Sequence, residues 1–133
     1  MAELVGPPEG WWRDRIGEPR TVVLSTVDGK GRPHAAAIWY LWRDGEIRMV
    51  TGRGSQKHRN LVRSGRAAVT WLDDWRYLAA EGPVMVEPAT REVRHALWAH
   101  YRGEAVAARE TAGEGHAAMV LVRLRPERWW GQW

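Results

Sequence analysis

The sequence predicts a mainly β domain of the α+β type: a six-stranded antiparallel barrel with two or three short helices filling its gaps. Three observations point there. Six short runs rich in β-branched and aromatic residues are separated by turns bearing glycine and aspartate. Two segments show helical periodicity or a helix-ending glycine. The strands follow one another in meander order, which favours a barrel over a layered α/β fold.

Residues 1–18 read as an N-terminal arm. Its first ten residues, with Pro7-Pro8-Glu9-Gly10, are expected to be loose, and a helical turn follows from Trp11 to the break at Gly17-Glu18-Pro19. The first strand is Thr21–Val27, ending in the turn Asp28-Gly29-Lys30-Gly31-Arg32-Pro33. The second is His34–Trp42. A tight turn, Arg43-Asp44-Gly45, leads to the third, Glu46–Thr51, which alternates polar and apolar residues. A helix is expected at Gln56–Ser64, stopped by Gly65. Strand four, Ala67–Leu72, turns through Asp73-Asp74 into strand five, Trp75–Glu87, which Pro88 closes. Thr90 is a candidate cap for a second helix, in which Val93, Leu97 and Tyr101 recur every four residues. Gly103 to Gly115 reads as a polar, Ala-rich mobile loop with room for a helical turn, and Met119–Leu124 as the sixth strand. No repeat or linker divides the chain, so residues 1–133 are read as one domain.

Composition narrows the function classes. The 133 residues are 44% hydrophobic and 27% charged, as expected of a folded domain with a single core. No apolar run approaches the roughly 20 residues of a membrane helix. The start, M-A-E-L-V-G-P-P, lacks a signal-peptide pattern, and cysteine is absent, so a cytoplasmic location without thiolate metal sites is expected. The net charge of +4 favours an acidic partner, either nucleic acid or a polyanionic small molecule. Ten Trp, three Tyr and no Phe make the aromatic balance unusual. The Trp pairs at 11/12, 39/42, 71/75 and the group 129/130/133 read as core or interface area, the last hinting at burial against a partner chain.

Two segments carry chemistry. T-G-R-G-S-Q-K-H-R-N-L, residues 51–61, follows an apolar strand and opens into the first helix; from Arg53 to Arg66 there are five Lys/Arg and no carboxylate. A glycine loop feeding a helix N-terminus presents backbone N–H groups, and with neighbouring cations it forms an anion site suited to phosphate. The spacing is not that of a Walker loop. The second strand has no polar face: Ala35, Ala37, Trp39 and Leu41 alternate with Ala36, Ile38, Tyr40 and Trp42. Its three alanines would let a flat ring lie close to the backbone, beneath a cofactor or a partner subunit.

Other chemistries find little support. His95 and His100 are five apart and share no helical face, and no G-x-S-x-G motif occurs. Single-stranded nucleic-acid binding would need aromatics interleaved with surface arginines, whereas these Trp residues alternate with apolar ones and read as buried.

Residues 26–69, T-V-D-G-K-G-R-P-H-A-A-A-I-W-Y-L-W-R-D-G-E-I-R-M-V-T-G-R-G-S-Q-K-H-R-N-L-V-R-S-G-R-A-A-V, resemble the pyridoxamine 5′-phosphate oxidase-like split β-barrel family. The resemblance is to its flavin/deazaflavin oxidoreductase branch, and E-G-P-V-M-V-E and R-P-E-R extend it to about residues 20–130. It implies a homodimer with FMN or coenzyme F420 in grooves at the dimer interface. The cofactor phosphate would sit on Thr51, Arg53, Ser55, Gln56 and Lys57, with Asn60 nearby. The ring would lie along Ala36, Ala37, Ile38 and Trp39. Where FMN-binding relatives often carry two basic residues this chain has Gln56-Lys57, so F420 is the expected cofactor and FMN the alternative. A basic surface including Arg53, Arg59 and Lys30 or Arg32 would attract the coenzyme's polyglutamate tail. The implied chemistry is hydride transfer to or from a small-molecule substrate that the sequence does not reveal. No catalytic side chain is implied, since the cofactor carries the reactive carbon. Trp39, Tyr40, Trp75 and Tyr77 are candidates for the substrate side. Trp129, Trp130 and Trp133 are read as packing, with Arg128 and this tail covering a partner's groove as the sharper alternative. A tetrapyrrole-handling barrel is a third reading, for which only His34 falls on the groove strand.

Overall fold

The computed structural model describes residues 2–4, 8–113 and 118–133. Its elements are β1 (Ala2–Leu4), a 3-10 turn (Gly10–Trp12), β2 (Val22–Val27), β3 (Pro33–Ile38), β4 (Leu41–Arg43), β5 (Glu46–Gly52), α1 (Gln56–Ser64), β6 (Arg66–Asp73), β7 (Arg76–Pro88), α2 (Arg91–Arg102), α3 (Glu104–Glu110), β8 (Met119–Leu124) and β9 (Arg128–Gln132). The molecule is mainly β with three short helices, and its strand pairs are antiparallel. The strands form one nine-stranded network along the path β3-β2-β6-β7-β8-β5-β4, with β9 branching from β7 and β1 from β9.

All six expected strands are present, yet the count rises to nine for three reasons. The second expected strand is broken at Trp39 and Tyr40 into β3 and β4. The C-terminal tail is β9, paired to β7 from Tyr77↔Gln132 to Glu81↔Arg128. The arm expected to be loose contributes β1, paired to β9 at Ala2↔Gly131. These partners lie far away in sequence, so no local pattern announces them. A fourth difference is α3, where a loop was expected. It is a seven-residue helix held against α2, with Ala107 buried at their contact. The end of that expected loop, residues 114–115, and Pro7 lie outside the described residues.

The break in the second strand determines the shape. β3 pairs with β2 as far as Val22↔Ile38, and β4 pairs with β5 from Leu41↔Arg48. Between them the Tyr40 N–H donates to the Tyr101 hydroxyl at 3.0 Å instead of to a strand. β3 and β4 are thus the two ends of the strand path, and the barrel stays open along a seam between β3 and β5.

The two halves of the network are joined by β7, thirteen residues long. Its first part pairs with β6 and β9, its last part with β8. The turn from β8 to β9 crosses it at Gly82. There Arg125 N donates to Pro83 O at 3.0 Å and Glu127 N to Glu81 O at 2.8 Å. Any Cβ on Gly82 would overlap the Arg125 carbonyl.

Alternation along the strands fills the interior with Val22, Leu24, Ile47, Met49, Val69, Leu78, Val122 and Leu124, all fully buried. Trp12, Tyr40, Trp71 and Trp129 complete this core. Trp129 stacks on Trp71 with centroids 6.1 Å apart and meets Trp42 edge-on at 5.8 Å. The tail is thereby packed into its own chain, as the packing reading expected. The reading of the Trp residues as buried fails at Trp75, which is 55% exposed, and at Trp133, 37% exposed.

The β2–β3 turn is organised by Asp28, itself buried. Its Oδ1 accepts the Lys30 and Arg32 backbone N–H groups at 2.8 and 3.0 Å, while Oδ2 meets Arg32 Nε at 2.8 Å and His34 Nε2 at 2.9 Å. The hydrogen bond from His34, supported by those from Arg32 and Lys30, holds this carboxyl well below the usual carboxylate range.

Two outcomes are expected. Gly82→Ala should lower the stability to chemical unfolding by about 3 kcal/mol, since backbone rather than a flexible side chain stands in the way; an unchanged urea midpoint would contradict the crossing. Asp28→Asn should lower the melting temperature at neutral pH. A depressed folded-state pKa gives stability that is present above the unfolded value and lost as pH falls towards the folded one. The gap between variant and parent should therefore narrow below about pH 4, as thermal melts across pH would show.

Candidate functional site

A cavity of about 760 Å³ occupies the seam. One wall is Ala37 and Ile38 of β3 with Trp39 just beyond; facing it are Val50, Thr51 and Gly52 of β5 and Lys57 of α1. Arg94, Leu97 and Trp98 close it from α2, and Thr21 and Met119 complete the lining. The described lining carries two cations and no carboxylate, and the rest is largely apolar. Such a space suits a flat, mostly apolar molecule that bears an anionic group.

The cation on α1 is placed by well-formed helix ends. Ser55 caps the helix, its Oγ accepting the His58 N–H at 3.2 Å. At the other end Gly65 adopts a left-handed conformation with φ of 69° and donates to Leu61 O. Inside, the buried Asn60 ties α1 to β2 by donating from Nδ2 to Thr26 Oγ1 at 3.1 Å, and its Oδ1 accepts from Gln56 Nε2 at 2.7 Å. Gln56 Oε1 in turn accepts from Arg59 at 2.6 Å.

The loop before α1 differs from the expected cradle of open N–H groups. Arg53 N donates to Ala118 O at 2.8 Å, Ser55 N to Gly52 O at 3.2 Å and Gly54 N to His58 Nδ1 at 2.8 Å. The amides that the helix itself leaves unsatisfied are the next two, at Gln56 and Lys57. Of the ten residues expected at the site, Ala37, Ile38, Trp39, Thr51 and Lys57 border the cavity. Ala36, Arg53, Ser55, Gln56 and Asn60 are not part of its lining; the last three shape α1 as just described.

Trp39 is held from three sides. Tyr101 stacks on it at 4.4 Å with planes 9° apart, Trp98 meets it edge-on at 5.2 Å, and the Arg102 guanidinium lies 4.9 Å from its ring centre. The other aromatic candidates do not reach the cavity. Tyr40 is buried in the core, where its hydroxyl donates to Ile16 O, and burial pushes its pKa up to about 12. Trp75 sits at the β6–β7 hairpin under Arg76, and Tyr77 lies on β7 opposite Leu72. Burial likewise raises the pKa of Tyr101, whose hydroxyl donates to Arg20 O at 2.6 Å. Neither tyrosine is therefore a phenolate at neutral pH.

Sequence reasoning missed the whole α2 wall. Arg94, Leu97, Trp98 and Tyr101 stand at i, i+3, i+4 and i+7, one face of a helix. The periodicity was legible from Leu97 and Tyr101, and a cation interrupting that apolar face was the available signal.

A second hollow, of about 680 Å³, lies between α2 and α3 near Arg43. There His95 Nε2 meets Glu104 Oε2 at 2.7 Å. Among the described residues no group of three or more His, Asp or Glu is placed to hold a metal ion.

Comparison with known proteins gives this geometry a context. The chain is 31% identical over 83 residues to the F420H(2)-dependent biliverdin reductase of Mycobacterium tuberculosis (strain CDC 1551 / Oshkosh), the match spanning 61% of each protein. Among solved structures, an F420 reductase superposes with a TM-score of 0.79 at 25% identity, over 93% of this chain and 98% of that one. A conserved hypothetical protein from Mycobacterium tuberculosis, Rv2991, superposes with a TM-score of 0.75 at 26% identity, over 96% and 85% respectively. The pyridoxamine 5′-phosphate oxidase family matches residues 10–133, taking in every element that lines the seam, and the chain belongs to that family.

Proposed function

We propose that this chain binds coenzyme F420 in the seam cavity and serves as an oxidoreductase, moving a hydride between the coenzyme and a small-molecule substrate. The observation that carries the reading is the cavity itself: a slot bordered by Ala37 and Ile38 of β3, with Lys57 and Arg94 on its walls and no described carboxylate. Relatives named as F420-dependent or F420 reductases lend it support.

The residues present fit such a group. Lys57 and the first-turn amides of α1 suit a phosphate. Thr51, buried at the end of β5, offers a hydroxyl to the same region. Ala36 and Ala37 keep β3 flat enough for a ring to approach the backbone, while Ile38, Leu97 and Trp98 exclude water. Trp39, fixed by Tyr101 and Trp98, sets where a ring can lie along the strand. Ser55 and Asn60 act at one remove, by orienting α1. Arg53 and Arg59, on the outer side of this loop, suit the carboxylates of a polyglutamate tail. When bound, the deazaflavin ring supplies the hydride-carrying carbon, so the chain's own task is to bind, orient and keep the site dry.

The working unit in this reading is a homodimer in the cytoplasm. The exposed Ala35 and Ala37 face of β3, beside the seam, is where a second copy would complete the groove. No helix among the described residues is long and apolar enough to cross a membrane. FMN is the competing occupant, since it shares the flat ring and the phosphate.

Titration with F420 and with FMN in parallel, followed by tryptophan fluorescence, tests the assignment. Saturable quenching by F420 alone is the expected result; tight binding of FMN alone would transfer the site to the flavin, and binding of neither would end the proposal. Lys57→Ala should weaken F420 binding by about 1.5–3 kcal/mol through loss of a charge-assisted contact. Unchanged affinity in that variant would remove Lys57 from the phosphate site.

A further inference from the structure

Arg94 is only 8% exposed, on the face of α2 that closes the seam cavity. Its Nε and Nη2 are shut off from bulk water and have no hydrogen-bond partner among the described residues. The other strongly buried charged groups are treated differently. Asp28 and Glu46 each hold two or more arginine or histidine contacts. A buried guanidinium without an acceptor is strongly unfavourable, so its persistence calls for a partner that arrives from outside the chain.

The identity of the two orphaned atoms narrows that partner. Nε and Nη2 form one edge of the guanidinium, whose parallel N–H groups match the two oxygens of a carboxylate or phosphate. The position narrows it further. The start of α2 is anchored beside the loop that leads into α1, because Ala89 N donates to Met119 O and Arg53 N to Ala118 O, with Met119 paired to Gly52. Arg94 lies one turn beyond the Thr90 cap, and it lines the same cavity as Lys57. Gln56, neutral and engaged by Asn60 and Arg59, leaves Lys57 as the cation that α1 contributes to the lining.

We propose that Arg94 and Lys57 form a two-cation oxyanion site in the seam cavity, with the Nε–Nη2 edge of Arg94 gripping the oxyanion side-on. Both atoms are closed to solvent in this structure, so the arginine side chain, which already borders the cavity, must turn to present that edge. The ligand chemistry is a phosphate or a carboxylate. It belongs either to the coenzyme or to the substrate, an attribution that rests on the function proposed above; the oxyanion site itself does not.

The test uses the full chain and two variants, Arg94→Met and Arg94→Lys. Thermal melts are recorded with inorganic phosphate against chloride at constant ionic strength. Phosphate should raise the melting temperature of the parent, and Arg94→Met should lose most of that rise. Without phosphate, Arg94→Met should melt no lower than the parent, since an unpaired buried cation has been replaced by an apolar chain of similar length. Arg94→Lys, keeping the charge but losing the fork, should retain only part of the response, and it serves alone if the methionine variant does not fold. A parent with no phosphate response, or variants that respond as the parent does, would overturn the site.

Titration of the same proteins with F420 and with its phosphate-free deazaflavin riboside then identifies the source. A tenfold or greater weakening of F420 by Arg94→Met, with the riboside unaffected, assigns the oxyanion to the coenzyme. Lost phosphate response with unchanged F420 affinity assigns the oxyanion to the substrate. If the parent binds neither F420 nor FMN yet shows the Arg94-dependent phosphate response, the oxyanion site stands and the coenzyme reading falls.

Discussion

The hydroxyl of Tyr101 holds the architecture open. It accepts the Tyr40 N–H and donates to Arg20 O, so backbone groups near the strand break are satisfied by a helix side chain. Residues 33–43 thus form two strands, β3 and β4, with Trp39 and Tyr40 between them, rather than one. Buried backbone polar groups must be paired, and here the pairing is transferred from a strand to α2. The seam, and with it the cavity, follows from that exchange. The same tyrosine stacks on Trp39, so one side chain both opens the slot and fixes the ring at its edge.

An open barrel needs another means of holding its halves together, and β7 supplies it. Its pairing changes along its length from β6 and β9 to β8, and the point of change is Gly82, where the β8–β9 turn lies directly on the strand. The aromatic chain Tyr40–Trp71–Trp129–Trp42 runs through the core between these halves. Packing of this kind resists relaxation. The α2 wall can therefore carry an unfavourable group such as Arg94 without closing on it.

Charge is partitioned in the same way. Away from the cavity, arginines neutralise acids: Arg66 and Arg128 meet Glu81, and Arg48 and Arg123 meet the buried Glu46. The described lining of the cavity, by contrast, has cations only. A bound anion would feel these two cations less screened by solvent than charges on the surface.

Much of the fold was legible because its signals are local. Ser55 and Gly65 bound α1, Thr90 caps α2, and the turn at Asp44-Gly45 stands where the sequence places it; the β6–β7 turn falls one residue later than expected, at Asp74-Trp75, with Asp44 and Asp74 both at positive φ. The six strands announce themselves by alternation and β-branching. The strand wall and Lys57 were legible too, through the unusual apolarity of residues 35–42 and the basic run after Gly52. What the sequence alone determined is therefore the set of elements and their ends, since capping, turn geometry and periodicity act over a few residues. Only the tertiary structure decided that the second strand breaks at Trp39-Tyr40, that β9 and β1 join the sheet, that the loop amides at 53–55 are engaged, and that Arg94 lines the seam with its Nε and Nη2 unpartnered among the described residues. Apart from the local bonds of Gly54 and Ser55, these depend on contacts between residues tens of positions apart, and the energy of an unpaired N–H or a buried charge is set by what surrounds it rather than by its neighbours along the chain.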